Sequence, residues 1–447
     1  MNSVGTQFDS AQQGQAVLPG GSFSYASLLA WLAPFLLVGF VVCTSPNFDT
    51  TQTVRESPLG SDFLQDWVGA KIITSADREL LYDSVHFQAL QHDPNVVGFH
   101  WPSERYYPMV YPPFFYSLLR PLANMPYQSA IWCWMLLLST GLGATLTLVK
   151  GFAPARKYFV GFAIASLLFA PLLFSLNMAH KSVLLLLIFT ATYIQLYRGK
   201  HFSAGLTFGL LAFKPHLAVL VGIALLLKRQ WSFVFGSALT VSLLLLLSWA
   251  CGSDLCHDYI QQALAMGSYT QHGGYQLSEA VNLNAAAELL AGDGVLAASM
   301  TWTVSLAILA ALWLSLSGPL QTKSKRFAAQ FSMLMLAVPL LSPHFYIYDL
   351  TIMLLPLLLL VLIAAGTPWE ESDWQGRQCN SPNKLLSKAN PLVAFLSAPR
   401  TVIYTIAAFY FLAAFFSKIA ATTSFQPASF LLLLLVAIAG TVAKKAG

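Results

Sequence analysis

The chain has 447 residues, of which 56% are hydrophobic and 10% charged, whereas soluble domains carry roughly 25% charged residues, so an ordinary cytosolic enzyme is excluded. The mean hydropathy is +0.62, and the apolar residues form blocks of about 20, the length that crosses a bilayer, which predicts an all-α polytopic membrane protein. The net charge is +5, but no basic run exceeds two adjacent residues, which excludes a nucleic-acid-binding surface.

Residues 1–22 form a polar stretch that lacks Lys and Arg, and this composition predicts a disordered tail. A single transmembrane domain is expected over 23–443, followed by a short C-terminal tail, 444–447. Apolar runs predict spans near 23–44, 128–149, 158–176, 181–197, 231–251, 294–316, 327–341, 350–366, 400–418 and 428–443. Between 203 and 227, Lys214-Pro215 interrupts the run and predicts two half-helices or a kinked hairpin, because Pro breaks the helical hydrogen bonding. The expected total is ten to twelve spans.

Lys and Arg in the short connections indicate the orientation, because positive residues near span ends stay on the cytoplasmic side. They cluster at 150–157, 198–200, 228–229, 323–326, 377–400 and 444–445, which all lie on one face if the 203–227 segment enters and returns. The 367–399 connection then is a cytoplasmic loop. The connections 45–110 and 252–293 lie on the opposite face as two large outer loops, and long loops are often functional. We therefore expect the chemistry on the outer face.

Two carboxylates stand near the start of the first outer loop. Asp62 and Asp66 are one helical turn apart and share a face if the segment is helical. One interpretation makes one of them a general base whose pKa is raised by partial burial. The other makes Asp62 a helix cap and leaves Asp66 on a solvated face. Spacing alone favours the second interpretation.

Ionisable residues within apolar surroundings are the sharper signal, since a buried charge in a membrane needs a partner or a task. They occur in three outer or re-entrant turns and near the end of one span: His180-Lys181, Lys214 with His216, His344 with Tyr348-Asp349, and Lys418. A lipid that carries a phosphate suits such a set of Lys and His. Snorkelling and ion pairing are the alternative, which we prefer for Lys418.

Other chemistry finds little support in the sequence. His257 and His272 of the second outer loop lack the i, i+4 spacing of a zinc-binding helix, and the five cysteines form no C-x-x-C pair, which predicts neither a zinc site nor a disulfide framework. Only Cys256 is placed clearly in a loop. No phosphate-cradling Gly loop and no G-x-S-x-G motif occurs. Nucleotide hydrolysis is therefore not expected.

A serial order of short motifs resembles glycosyltransferase family 87, whose members are membrane-embedded GT-C enzymes. The motifs are Asp62-Phe63-x-x-x-Trp67, Leu81-Tyr82-Asp83, Tyr111-Pro112-Pro113-Phe114, Pro121-Leu122-Ala123, the turn 177–181, Lys214-Pro215, Lys228-Arg229-Gln230-Trp231, Ser342-Pro343 and Tyr348-Asp349. The resemblance covers roughly residues 60–365. It implies transfer of a hexose, often mannose, from a polyprenyl-phosphate sugar to a hydroxyl of a lipid or glycan acceptor, with inversion, on the periplasmic side of a bacterial inner membrane.

The resemblance also implies roles for individual residues. Asp62 matches the first-loop aspartate that acts as general base, and Asp66 is the second choice. Lys214 matches a Lys-Pro position suited to the donor phosphate, with Lys181 and His344 as further contacts. Aromatics around Tyr111 are suited to the isoprenoid tail. The 177–181 turn, which includes His180, departs from the Gly-Gln-x-Asn frequent in relatives, and Tyr348 or Asp349 replaces a histidine that several relatives carry.

Two other function classes remain open from the residues alone. One is a lipid or solute transporter or flippase without covalent chemistry, in which the charged turns gate passage. The other is a scaffold for assembly of the cell envelope, with the 45–110 loop as docking surface. For the transferase the partners are membrane lipids, the lipid-linked donor and the acceptor; no cofactor is required, although the acidic outer loops leave a divalent metal possible.

Overall fold

A computed structural model describes residues 25–44, 58–102, 107–265, 276–369 and 391–446. Those residues are mainly helical, and they include one isolated antiparallel bridge, between Ala280 and Tyr346, but no named strand. This confirms the all-α prediction. The predicted tail 1–22 and most of the 367–399 connection lie outside the described residues. The last helix continues through Lys444 to Lys445, so the first two residues of the predicted C-terminal tail, 444–447, are helical.

The helices of the first half are α1 (Tyr25–Thr44), α2 (Ser61–Thr74), α3 (Ser84–His92), α4 (Pro94–Val97), α5 (Pro113–Leu118), α6 (Arg120–Ala123), α7 (Tyr127–Lys150), α8 (Phe159–Leu167), α9 (Ala170–Asn177), α10 (Ser182–Tyr197) and α11 (His201–Gly209). Those of the second half are α12 (Pro215–Leu227), α13 (Trp231–Cys251), α14 (Ser253–Ala265), α15 (Leu283–Ala291), α16 (Val295–Ser315), α17 (Lys325–Leu341), α18 (Leu354–Ala364), α19 (Pro391–Leu396), α20 (Pro399–Leu412), α21 (Phe416–Thr423) and α22 (Pro427–Lys445). Short 3₁₀ turns at Arg78–Leu80, Ala153–Tyr158, Leu210–Phe213, Leu277–Glu279, Ile347–Met353 and Ala413–Phe415 extend or join them. Cys256, expected in a loop, lies in α14.

Six helical segments of the described chain are long and apolar enough to cross a membrane, in agreement with an integral membrane protein. The predicted span 158–176 is instead two helices that meet at a 53° bend, and counting that pair gives seven. The expected span 181–197 is the shorter apolar helix α10, and the 203–227 segment also contains shorter apolar helices, α12 among them. The total of ten to twelve crossings stays a prediction.

The hairpin predicted around Lys214-Pro215 is confirmed. A 3₁₀ turn extends α11 to Phe213, Lys214 leaves helical geometry with φ −131° and ψ 67°, and Pro215 starts α12. Proline suits the first helical position because its missing N–H has no intrahelical partner there. The break therefore places Lys214 at the tip of the hairpin.

Small residues press the first arm of the hairpin closely against α13. A Cβ added to Gly205 would stand 2.0 Å from the carbonyl oxygen of Phe233, and one added to Gly236 would stand 2.3 Å from that of Phe202. Ser237 and Thr240 donate hydrogen bonds to the carbonyl oxygens of Gly205 and Leu206, at 3.1 and 2.9 Å. This backbone contact fixes where the tip, and hence Lys214, can lie.

Basic side chains gather at the other end of the same helices. Arg198, just after α10, donates to the carbonyl oxygen of Gly151 at 3.2 Å, and Lys228, just after α12, donates to that of Gly318 at 2.6 Å. The neighbouring Arg326 donates to the carbonyl oxygen of Ser317 at 2.8 Å. We call these exposed or half-buried groups the basic end. α10 has 16 residues, about 24 Å at 1.5 Å per residue, so its two ends are separated by most of the thickness of a bilayer core.

Candidate active site

The first loop folds back into the protein through α2. Gly60 precedes the helix in the left-handed region, at φ 65°, and a Cβ there would meet Ile131 Cδ1 at 2.5 Å and the Ala179 Cβ at 2.9 Å. Only glycine fits such a position without strain. The Trp67 indole donates to the carbonyl oxygen of Leu122 at 3.1 Å. α2 is thus a buried element, and its first turn packs against the 177–181 turn.

Asp62 is not a helix cap, which makes that interpretation wrong. The cap position belongs to Gly60, without a side-chain capping bond. The Asp62 backbone N–H donates to the carbonyl oxygen of Met178 at 3.1 Å, which ties the first turn of α2 to the 177–181 turn. The Asp62 side chain is buried, and its Oδ2 has no hydrogen-bond partner among the described residues.

Asp66 does not lie on a solvated face either. Its side chain is fully buried, and its Oδ2 accepts a hydrogen bond from Lys181 Nζ at 2.6 Å, with Lys181 equally buried. Within the described chain, Asp66 Oδ1 has no hydrogen-bond partner. Lys181 also lies 4.3 Å from the ring centroid of Tyr111 and 5.5 Å from that of Phe115. A desolvated cation over aromatic faces gains cation–π stabilisation in addition to its ion pair.

The turn between α9 and α10 presents His180 and Lys181 side by side. Ala179 takes a positive φ of 52°, the His180 N–H donates to the carbonyl oxygen of Ser175 at 2.7 Å, and Trp134 donates to that of Ala179 at 2.8 Å. These bonds fix a turn that the sequence marks only as polar. Lys181 consequently points to α2, and His180 points to the hairpin tip.

Lys214 at the hairpin tip completes a second buried ion pair. Its Nζ lies 3.0 Å from Asp349 Oδ1 and 3.0 Å from His180 Nε2. Ser182 joins the group, since its hydroxyl lies 2.7 Å from His180 Nδ1 and donates to Asp349 Oδ1 at 3.0 Å. The His180 ring also packs on Tyr348, with centroids 4.2 Å apart. Sequence reasoning missed Ser182, because a serine at the start of a helix has no distinguishing spacing.

The second outer loop holds the segment that carries His344, Tyr348 and Asp349. The Val281 N–H donates to the carbonyl oxygen of Phe345 at 2.9 Å, and the Asn282 side chain donates to that of Pro343 at 2.9 Å. His344 packs edge-on against Tyr346 with centroids 4.7 Å apart. Tyr346 in turn stacks on Tyr348 at 5.5 Å. The second outer loop therefore holds this segment in place through hydrogen bonds to its backbone.

All nine predicted site residues therefore belong to one group, which we call the charged cluster. It consists of Asp62, Asp66, Tyr111, His180, Lys181, Lys214, His344, Tyr348 and Asp349, and it lies at the opposite end of α10 and α12 from the basic end. Lys418, which we expect to snorkel, is exposed on α21. His257 is also exposed, while His272 lies outside the described residues.

Burial changes the proton affinity of the cluster. It raises the pKa of Asp62 to about 7 and that of Asp66 to about 6, although the positive charges of Lys181 and Lys214 oppose both shifts. Burial, with the help of Lys214, lowers the pKa of His180 well below its usual value and that of His344 to about 4. Near neutral pH His180 and His344 are therefore uncharged, and Asp62 can both hold and accept a proton.

No group of three or more His, Cys, Asp or Glu side chains in the described ranges is arranged to hold a metal ion. The buried carboxylates Asp66 and Asp349 instead have lysine partners. That the reaction needs no metal stays a prediction.

Comparison with known families decides the class of the protein. A family model described as glycosyltransferase family 87 matches residues 109–343, more than half of the chain. The chain belongs to glycosyltransferase family 87. This confirms the resemblance and makes the protein a membrane glycosyltransferase of the GT-C type. The matched range contains the 177–181 turn and Lys214, whereas Asp62, Asp66 and Asp349 lie outside it.

One solved structure similar to this glycosyltransferase is the crystal structure of ArnT from Cupriavidus metallidurans in the apo state. The two chains are 14% identical, the alignment covers 93% of this chain and 76% of ArnT, and the TM-score is 0.35. A likeness at that score supports no conclusion about the site. No curated protein matches the sequence significantly.

Proposed function

We propose that this glycosyltransferase moves a hexose, mannose being the first choice, from a polyprenyl-phosphate sugar to a hydroxyl of a lipid or glycan acceptor on the non-cytoplasmic face, with inversion. The observation that carries the proposal is a buried carboxylate, Asp62, which has no ion-pair partner in the described part of the chain and belongs to the same cluster as two buried lysines. The family supplies the reaction class, and the cluster supplies groups for each step. A transporter or a scaffold does not account for family membership.

Asp62 is better suited than Asp66 to take the acceptor proton. An effective general base has a pKa near the working pH, and burial brings that of Asp62 to about 7. Asp62 Oδ2 has no hydrogen-bond partner among the described residues, whereas Asp66 Oδ2 is bound by the Lys181 ammonium, which makes that carboxylate a weaker proton acceptor. In the proposed step the acceptor O–H proton passes to Asp62, the oxygen attacks the anomeric carbon, and the bond from that carbon to the phosphate oxygen breaks.

The departing phosphate gains negative charge as that bond breaks, so fixed cations lower the barrier. The fixed cations of the cluster are Lys214 and Lys181, and both side chains are already desolvated. Neutral His180 and His344 can add hydrogen bonds without adding charge. The leaving group is a phosphate already attached to lipid, so no nucleotide takes part.

An apolar wall beside the lysines is suited to the isoprenoid chain. The rings of Tyr111 and Phe115 lie 4.5 Å apart, and Phe115 stacks on Phe213 of the hairpin at 5.5 Å. Because Lys181 lies over the first two rings, a phosphate near the lysine would have its tail beside this wall.

The deciding test is transfer of labelled hexose from a panel of polyprenyl-phosphate hexoses by reconstituted protein, with Asp62→Asn as the variant. We expect a loss of about 1,000-fold or more in kcat/KM, since general base catalysis contributes roughly 100- to 10,000-fold. Asp77→Asn is the matched control, because Asp77 is exposed in the same loop. Full activity of Asp62→Asn would remove the mechanism. Inactivity of the unaltered protein with every donor would remove the proposed reaction.

The proposed orientation, in a bacterial inner membrane with the cluster towards the periplasm, rests on the basic end being cytoplasmic. It can be tested with single cysteines introduced at Lys200 and at Asp254, both exposed, in a variant without the five native cysteines. A membrane-impermeant thiol reagent added to cells with a permeabilised outer membrane should label position 254 and spare position 200. The reverse pattern would invert the proposed topology.

A further inference from the structure

The Asp66–Lys181 pair has a feature that a purely structural ion pair does not require. Asp66 Oδ2 accepts a hydrogen bond from Lys181 Nζ at 2.6 Å. The other carboxylate oxygen, Oδ1, is buried and has no hydrogen-bond partner among the described residues. Buried polar atoms are nearly always hydrogen-bonded, and a desolvated carboxylate oxygen is costly to leave without a donor. Oδ1 is thus able to accept a hydrogen bond from a ligand.

The position of this oxygen limits which part of a ligand can reach it. Asp62 and Asp66 are four residues apart on α2, which puts their Cβ atoms about 5–6 Å apart on one face. A hexose ring is about as wide, since a few carbon–carbon bonds of about 1.5 Å span it. A hexose whose anomeric carbon lies beside Asp62 is therefore long enough to bring another of its hydroxyls to Asp66.

We propose that Asp66 is a specificity-determining residue, whose Oδ1 accepts a hydrogen bond from one hydroxyl of the transferred sugar while Lys181 holds the carboxylate in place. The inference rests on the proposed function, because it needs a sugar in the cluster. Recognition by an ionised acceptor is stronger than by a neutral one. A site built to bind a hydroxyl also rejects analogues that lack it, because its own polar group is then left unpaired.

The test is a set of deoxy donors. The hexose that the unaltered protein transfers is supplied as its polyprenyl phosphate, complete or with one hydroxyl at a time replaced by hydrogen, and kcat/KM is measured. We expect one deoxy donor to fall by roughly 10- to 150-fold, the range of a hydrogen bond to a charged group. In Asp66→Asn, which keeps the size of the side chain, that penalty should shrink to a few-fold, while the penalties at the other hydroxyls stay unchanged.

A second variant guards against loss of folding. Asp66→Asn leaves Lys181 buried without its counter-charge, whereas Asp66→Leu/Lys181→Met removes both charges, and replacing a whole buried pair by apolar residues is often tolerated. The double variant should lower transfer from every donor, because Lys181 is a proposed phosphate contact, but the ratio of kcat/KM between the complete donor and that one deoxy donor should shrink as in Asp66→Asn. Ratios that both variants leave as in the unaltered protein at every hydroxyl overturn the inference and leave Asp66 a structural residue. Absence of transfer by the unaltered protein is a different result, since it removes the proposed function itself.

Discussion

The two ends of α10 show how differently this protein uses its positive charges. Before the first residue of the helix, Lys181 is fully buried, paired with Asp66 and covered by Tyr111. After the last residue, Arg198 is exposed and donates to the carbonyl oxygen of Gly151. An exposed cation at a helix end interacts favourably with the last carbonyls at little cost, whereas a buried one requires partners. The basic end is consistent with a role in topology, and the charged cluster with one in chemistry.

The hairpin formed by α11 and α12 repeats the contrast. Its tip carries Lys214, buried against Asp349 and His180, and its return arm ends at Lys228, which donates to a backbone carbonyl. The same kind of substitution should therefore have a larger effect in the charged cluster than at the basic end.

The largest difference is expected for removal of a lysine charge. Lys214→Met leaves Asp349 buried without its counter-charge, with the Ser182 hydroxyl and the Tyr346 backbone N–H as neutral donors, and breaking a buried pair costs about 3–5 kcal/mol. The free energy of unfolding in detergent should fall by that amount, and kcat/KM should fall by about 100-fold or more because a phosphate contact is lost. Lys200→Met at the basic end should change the free energy of unfolding by less than about 0.5 kcal/mol. Equal effects of the two substitutions would contradict the distinction.

A glycine pair gives the next largest difference. Gly60 and Gly199 have similar positive φ values, 65° and 74°, but a Cβ at Gly60 meets Ile131 and Ala179, while one at Gly199 has nothing within 4 Å. Gly60→Ala should lower the free energy of unfolding by about 2–4 kcal/mol, from backbone strain plus overpacking. Gly199→Ala should lower it by about 1–2 kcal/mol, from strain alone. Thermal unfolding of the two variants gives the comparison, and a smaller loss for Gly60→Ala than for Gly199→Ala would show that this contact does not constrain α2.

The pH dependence sharpens the description of the cluster. Asp62 has to be ionised to act as base, so kcat/KM should rise with pH through a midpoint near its pKa of about 7. Lys181→Met removes the charge that most lowers this pKa, so the midpoint should move up. Asp66→Asn removes a charge that raises it, so the midpoint should move down. A midpoint that both variants leave unchanged would mean that another group sets the profile.

The smallest effect is expected at the basic end itself. Arg198→Gln removes an exposed hydrogen bond to Gly151, so the free energy of unfolding should change by no more than about 0.5 kcal/mol. Transfer activity should stay at the level of the unaltered protein. A loss of activity would show that the basic end contributes to more than topology.

Composition and hydrophobic pattern are sufficient to predict the membrane class, the helical fold and the candidate site residues of this protein. In lipid, a long apolar run can form all its backbone hydrogen bonds only as a helix. Pro215 interrupts the helix after Lys214 whatever the surroundings, because proline has no backbone N–H to donate. Ionisable residues in apolar surroundings indicate a site because burying a charge in a membrane costs free energy. Their serial order along the chain was enough to indicate the family.

Which of these charged groups contact one another depends on tertiary packing. The four-residue spacing of the two aspartates favours a capping Asp62 and a solvated Asp66. Such a spacing shows that two side chains share a helix face, but it does not show whether that face is buried. Asp66 finds Lys181 115 positions away, and Lys214 finds Asp349 135 positions away. Such partners are set by how α2, the 177–181 turn and the hairpin tip pack, through contacts such as those of Gly60 and Gly205 that carry no chemical signature in the sequence. Burial, and with it the proton affinity of Asp62, follows from that packing.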